Sequence, residues 1–232
     1  MDIKAAKADK NHQAGHRARL RERFLKAGGD AMPDYELLEL LLITAIPRRD
    51  VKPLAKDLIA HFGSYADVIS AQPGRLKDFS GLGDAGIAAL KTVEAAAVRL
   101  SQSKIMNKPV LSSWQSLLDY VRAAMAHADT ESFRVLFLDR KNRLIADEVQ
   151  GKGTVDHTPV YPREVVKRAL EIGASAVILV HNHPSGDPKP SKGDIAMTRD
   201  VMDACSKLEI QVHDHIIVGR NGHSSFKSMG LI

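Results

Sequence analysis

The sequence predicts a mixed α+β protein: an all-helical first half, then a second half in which helices and strands alternate. Three observations carry that prediction. Residues 16–100 place apolar side chains at helical spacing between glycine and proline stops. A polar, aperiodic run, Ser-Gln-Ser-Lys-Ile-Met-Asn-Lys-Pro at 101–109, separates them from the rest. Beyond it lie short strand-like runs, above all Ala176-Val177-Ile178-Leu179-Val180, continuously apolar as in a central strand buried on both faces. At roughly 150 residues per domain, 232 residues suit a medium domain plus a smaller one. The expected division is a basic arm over 1–27, a helical domain over 28–100, a linker over 101–109 and a mixed domain over 110–232.

Residues 1–15 read as a solvated tail. From His16 to Ala27, Leu20, Phe24 and Leu25 share a helical face, and Gly28-Gly29 stops the helix. A second helix starts near Pro33-Asp34, because proline suits a first helical turn and acids favour the N-terminal dipole. Its leucines, Leu37 to Leu42, are apolar nearly all round, which implies burial, and Pro47 ends it. Further helices follow over Val51–Phe62, Tyr65–Ser70, Pro73–Asp78 and Asp84–Leu100. In the second half, Leu117–Ala126 suits a helix. Phe133–Leu138 and Leu144–Val149 suit strands joined by the turn Asp139-Arg140-Lys141-Asn142. A helix over Pro162–Ile172, the apolar strand, a helix over Lys192–Leu208 and a strand around Ile210–Val218 complete the order.

Composition narrows the function classes. Residues 1–27 hold eight basic and three acidic side chains; the other 205 hold 25 of each, so the whole net charge of +5 sits in the arm. That argues against a broad basic face and for a local anion-binding arm. The single cysteine, Cys205, excludes a disulfide framework and a cysteine metal cage, reads as a small core residue, and fits a reducing cytoplasm. The longest apolar cluster, Leu37–Ile46, is broken by Glu39 and Thr44. It falls far short of the roughly 20 residues a membrane-crossing helix needs.

Chemistry concentrates in His181-Asn182-His183-Pro184-Ser185-Gly186-Asp187-Pro188-Lys189-Pro190-Ser191-Lys192-Gly193-Asp194. His181 and His183 stand at i and i+2 beyond the apolar strand, so alternation puts both imidazoles on one side. Three prolines stiffen the following loop, and the chain then enters a helix whose first turn carries Asp194. Two histidines and one aspartate suit zinc with the fourth tetrahedral position open, as catalytic sites require. Each part has a plainer reading: Ser191-x-x-Asp194 is also a capping box, and a single His-x-His is more often two polar residues at a strand end.

The whole spacing, His-x-His, seven residues, Ser, two residues, Asp, resembles the zinc signature of JAMM (MPN) metalloproteases. The fuller string, His-Asn-His-Pro-Ser-Gly-Asp-Pro-x-Pro-Ser-x-x-Asp, is similar to the bacterial RadC family, long labelled a DNA repair family. The likeness extends to Glu36-Leu37-Leu38, Pro162-Arg163-Glu164 and Asp214-His215-Ile216-Ile217, and spans residue 16 to the C-terminus. It implies a JAMM-like α/β/α domain that binds one Zn2+ through His181, His183 and Asp194 and cleaves an amide or isopeptide bond in a peptide or protein substrate. Glu131 matches the family's general acid/base, with Glu148 and Glu164 as rivals, and Ser191 matches the serine that steadies the oxyanion. Asn182 departs from the serine or threonine of eukaryotic JAMM members. His213-x-His215 is a second same-face pair, and Asp214 and His215 read as a hydrogen-bonded pair that is either structural or supports the metal ligands from behind. His223 lies in a hairpin without an assigned role.

Gly81-Leu82-Gly83, between two helical stretches, resembles a helix-hairpin-helix turn whose backbone amides can take a phosphate. With the basic arm it supports the alternative expectation, a DNA-processing accessory protein with a structural or inactive metal site. A metal-dependent nuclease is a third reading, less suited to one metal than to two.

Overall fold

The computed structural model describes residues 3–152 and 160–232. The chain forms two compact units, divided between Ala95 and Ala96. The first is helical, with α1 (Ile3–Ala27), α2 (Asp34–Ala45), α3 (Lys52–Phe62), α4 (Tyr65–Ser70), α5 (Pro73–Lys77) and the start of α6 (Gly83–Ser103). Leu38, Leu42, Leu58, Leu76 and Leu90 form the centre of its core, and Leu20 of α1 joins them. Two local expectations are corrected. Residues 3–15, read as a tail, belong to α1, since their alanines, lysines and glutamine are strong helix formers. The helix that enters the expected linker does not stop at Leu100 but runs on to Ser103.

The arm's charges are also partly engaged. His16 pairs with the buried Glu39 at 2.8 Å, the Arg17 guanidinium donates to the Pro47 and Arg49 carbonyls, and Arg23 pairs with Glu36. The Gly-Leu-Gly turn forms as expected: Gly81 and Gly83 take φ of 90° and 60°, which L side chains avoid, and α6 starts at Gly83.

The second unit is built on a five-stranded sheet. Its elements are α7 (Trp114–Met125), β1 (Ser132–Leu138), β2 (Leu144–Lys152), α8 (Pro162–Glu171), β3 (Ala176–Asn182), α9 (Lys192–Ser206), β4 (Gln211–Gly219) and β5 (Gly222–Ser225). The strand order is β2-β1-β3-β4-β5. β1 is antiparallel to β2 and β3, β3 and β4 are parallel and joined through α9, and β4 and β5 are antiparallel. Every residue of β3 is buried. Ile178 and Val180 pack with Leu117 and Val121 of α7, while Val177 and Leu179 pack with Val165 and Ala169 of α8 and Val201 and Cys205 of α9. Burying a large aliphatic side chain stabilises by roughly 1.5–3 kcal/mol. Four of them anchor β3 firmly enough to carry polar His181 and Asn182 into the interior at its end, where both are 1% exposed. Burial also pushes the Cys205 thiol up to about 11, in keeping with a core residue.

Among the described residues, no helix is long and apolar enough to cross a membrane.

Candidate metal centre

β3 delivers His181 from its penultimate position, and His183 follows directly after the strand. The loop then turns at Gly186, whose φ of 88° needs glycine. That turn is seated against the end of β4, where a Cβ on Gly219 would collide with the Gly186 carbonyl. His183 N–H donates to the Val218 carbonyl at 2.9 Å, fixing the loop to β4 from the other side. The chain re-enters regular structure at Ser191, the N-cap of α9. Both halves of the capping box are present: the Ser191 hydroxyl accepts from the Asp194 amide at 3.1 Å, and the Asp194 carboxylate accepts from the Ser191 amide at 2.7 Å. Asp194 therefore belongs both to the cap and to the candidate donor set. The box holds the Asp194 side chain facing the two histidines.

The three side chains converge. His181 Nε2 and His183 Nε2 are 3.0 Å apart; Asp194 Oδ1 lies 3.2 Å from the first and Oδ2 3.5 Å from the second. One donor atom from each lies within 4.8 Å of the others, a group that can hold a metal ion, and no other such group occurs among the described residues.

The opposite ring nitrogens settle which lone pairs face inward. His183 Nδ1–H donates to the Asp187 carbonyl at 2.8 Å. Behind His181 runs a buried chain: the Thr198 hydroxyl donates to the Asp194 carbonyl, leaving its oxygen to accept from His215 Nδ1–H at 2.6 Å. His215 Nε2 then accepts from His181 Nδ1–H at 2.8 Å. With each Nδ1 committed as donor, a neutral His181 or His183 presents an Nε2 lone pair to the centre. Two lone pairs and a carboxylate aimed at one point repel each other unless a cation lies among them, so the donor set fits a metal.

Protons can take the place of a cation at this point. Burial opposes ionisation of Asp194, but hydrogen bonds from protonated His181 and His183 outweigh it and hold the carboxyl well below its ordinary range. Hydrogen bonding to Asp194 raises the pKa of His183. Complete burial, with the His181 charge adding to it, pushes His215 well below the usual histidine value. Phe133 stacks on His181 and Phe226 tilts against His215, so the inner side of the centre is apolar.

Glu131 immediately precedes β1, half-buried, and its charge acts on His183. Its rivals are engaged elsewhere. Glu148 makes a fork with Arg168 of α8 at 2.6 and 2.9 Å, and Glu164 lies in the first turn of α8 beside Arg163.

One expectation at β4 is corrected and another is made specific. His213 and His215 do not act as a pair: a register shift opposite Val177/Ile178 separates them, and His213 Nε2 instead meets Asn142 Oδ1 at 2.6 Å. Asp214 and His215 are hydrogen-bonded, through the His215 backbone amide and not its ring. The Asp214 carboxylate accepts from the His215 and Lys227 backbone amides and the Ser225 hydroxyl, bracing the β4–β5 corner, while the His215 ring turns toward His181. His223 is exposed on β5. The ring partners of His215, Thr198 and His181, come from two other elements, so the sequence left open whether His215 was structural or supported the candidate ligands.

Comparison with known proteins follows the same division. A family profile described as RadC-like JAB domain matches residues 111–231, and one described as UPF0758 N-terminal matches residues 12–88. A UPF0758 protein of Rhodobacter capsulatus is 62% identical over 213 residues, covering 92% of this chain and 100% of the relative. A UPF0758 protein of Ruegeria pomeroyi is 56% identical over 217 residues, covering 94% and 97%. The donor cluster on β3 and α9 falls inside the matched JAB segment, and the chain belongs to the RadC family of UPF0758 proteins.

Proposed function

We propose that this protein is a zinc-dependent hydrolase that cleaves an amide or isopeptide bond in a peptide or protein, working in the reducing cytoplasm. The observation that carries the reading is the inward-facing set of His181 Nε2, His183 Nε2 and the Asp194 carboxylate, each oriented by a hydrogen bond on its far side. Membership of a JAB family, which includes metalloproteases, adds to it. One Zn2+, held by these three, supplies a Lewis acid and a water whose pKa falls to about 7.

Glu131 accepts the proton of the attacking water and hands it to the leaving nitrogen. Ser191 has a divided duty that its chemistry allows. Its oxygen accepts the Asp194 amide in the cap, and its hydroxyl proton stays available to donate to the oxygen on which charge develops. His215 and Thr198 keep His181 in the Nε2-ligating tautomer.

The test combines metal content with turnover on a peptide library. The wild-type protein should carry one zinc per chain, and His181→Ala with His183→Ala should abolish it. Glu131→Gln should keep zinc and lose turnover by roughly 100-fold or more. A wild-type protein that is stable and takes up no zinc would end the reading; retained turnover in Glu131→Gln would remove that residue from the mechanism.

A second reading, phosphate contact by the helical unit, has one observation in its favour: Gly81 and Gly83 hold the left-handed turn ahead of α6. DNA affinity that falls steeply with salt and is lost in Gly81→Val would support it.

A further inference from the structure

Asn182 stands between the two histidines, yet its side chain, 1% exposed, takes no part in the donor cluster. It reaches instead to the chain entering β1. Its Oδ1 accepts from the Ser132 amide at 2.9 Å and from the Ser132 hydroxyl at 2.9 Å, and its Nδ2 donates to the Thr130 carbonyl at 3.1 Å. Thr130 and Ser132 are the two neighbours of Glu131. In an extended chain the carbonyl before a residue and the amide after it point to the same side. One carboxamide therefore grips both peptide groups that flank Glu131.

The sheet register explains why a side chain is needed. β1 and β3 pair as antiparallel strands from Leu138↔Ala176 up to Phe133↔His181, where the ladder ends. Glu131 lies two residues past that last pair, beyond the end of the β1–β3 ladder. A primary amide has the same donor and acceptor as a peptide group and extends the ladder by one rung. Serine or threonine offers a single hydroxyl and cannot serve both groups at this separation. Because the rung comes from the residue between the two candidate ligands, any movement of Glu131 is referred directly to the metal centre.

We infer that Asn182 is the positioning residue for Glu131, fixing the acid/base relative to the metal by clamping the peptide groups on either side of it. This rests on the hydrolase reading above, in which Glu131 faces the metal. The geometry also favours Glu131 over Glu148 and Glu164, for the ligand-bearing strand clamps neither rival's backbone among the contacts of Asn182.

The full-length protein loaded with Co2+ supplies a readout independent of substrate. The visible absorption of the bound Co2+ changes with pH, and the midpoint depends on a carboxylate beside the metal. Glu131→Gln should shift that midpoint. Asn182→Ala should shift it in the same direction by about half or more of that amount, with Co2+ stoichiometry unchanged, and should add nothing in the Glu131→Gln background. Asn182→Ser, which keeps one of the contacts and disturbs packing less, should fall between and guards against a poorly folded alanine variant. A midpoint unchanged in both Asn182 variants overturns the inference, as does loss of Co2+ from them, which would make Asn182 a support of the ligands instead. Failure of the underlying reading shows separately, as a wild-type protein that takes up no Co2+ or a Glu131→Gln midpoint identical to wild type.

Discussion

His215 shows how one buried side chain can orient a candidate metal ligand from behind. It is fully buried, donates to Thr198 and accepts from His181, so it dictates which nitrogen of His181 faces the centre. Replacing it with phenylalanine keeps the ring's volume and removes both bonds. Loss of such an outer hydrogen bond typically lowers metal affinity 10–100-fold, and zinc competition against a chromophoric chelator should show a drop of about that size in His215→Phe. An unchanged affinity would mean the relay is only packing. His213 behaves differently. Burial, with the Lys227 charge adding to it, lowers its pKa from 6.5. The unfolded chain takes up this proton at the ordinary value and the folded chain only at lower pH. His213 therefore contributes stability above pH 6.5 that is lost as pH falls from there toward the lowered value. Thermal melts should show this acid sensitivity reduced in His213→Gln, which can still donate to Asn142.

Ser191 and Asp194 open α9 as a capping box, and Asp194 also meets His181 and His183, so a single substitution here confounds helix stability with the proposed chemistry. Ser191→Ala should cost about 1 kcal/mol through the lost cap, seen as a lower melting temperature, and should also reduce turnover. Ser191→Asn should restore the melting temperature, because asparagine caps well, and leave turnover low; recovery of both would limit Ser191 to the cap. Elements like α9 were legible in the sequence because caps, prolines and glycine stops act within a few residues. The bounds of α4, Tyr65–Ser70, agree with the sequence expectation for the same reason. α1 starts before its expected first residue and α6 runs past its expected last one, because no proline stops the chain at Gly15 or Leu100 and the flanking residues are good helix formers.

The two units have separate cores with no residue in common among those described. Leu90 is fully buried in the first and Leu179 in the second, on the strand that bears His181. Truncating either to alanine should cost roughly 2–5 kcal/mol. The consequences for the metal should differ. Leu90→Ala should leave zinc stoichiometry intact, whereas Leu179→Ala should loosen β3 and weaken zinc binding. Equal effects on zinc from both would show that the helical unit supports the centre. Charge divides as well. The excess of basic residues lies in the first 27, but His16, Arg17, Arg23 and Lys26 are engaged with Glu39, backbone carbonyls, Glu36 and Glu22. The positive charge offered to a polyanion is smaller than the composition suggests.

The order of elements, the continuous apolar strand and the three donors His181, His183 and Asp194 were all legible in the sequence. Strand alternation and a local cap set their positions within a span of fourteen residues, so their convergence needed no distant information. The partners behind them were not. Thr198 and His215 lie on α9 and β4, and the Asn182 amide meets Thr130 and Ser132 some 50 residues earlier in the chain. Those contacts exist because β3 is central and takes β1 on one side and β4 on the other. Local chemistry chose the ligands; packing around β3 chose the tautomer of His181 and the place of Glu131, because hydrogen bonds between strands depend on register, which no short stretch of sequence encodes.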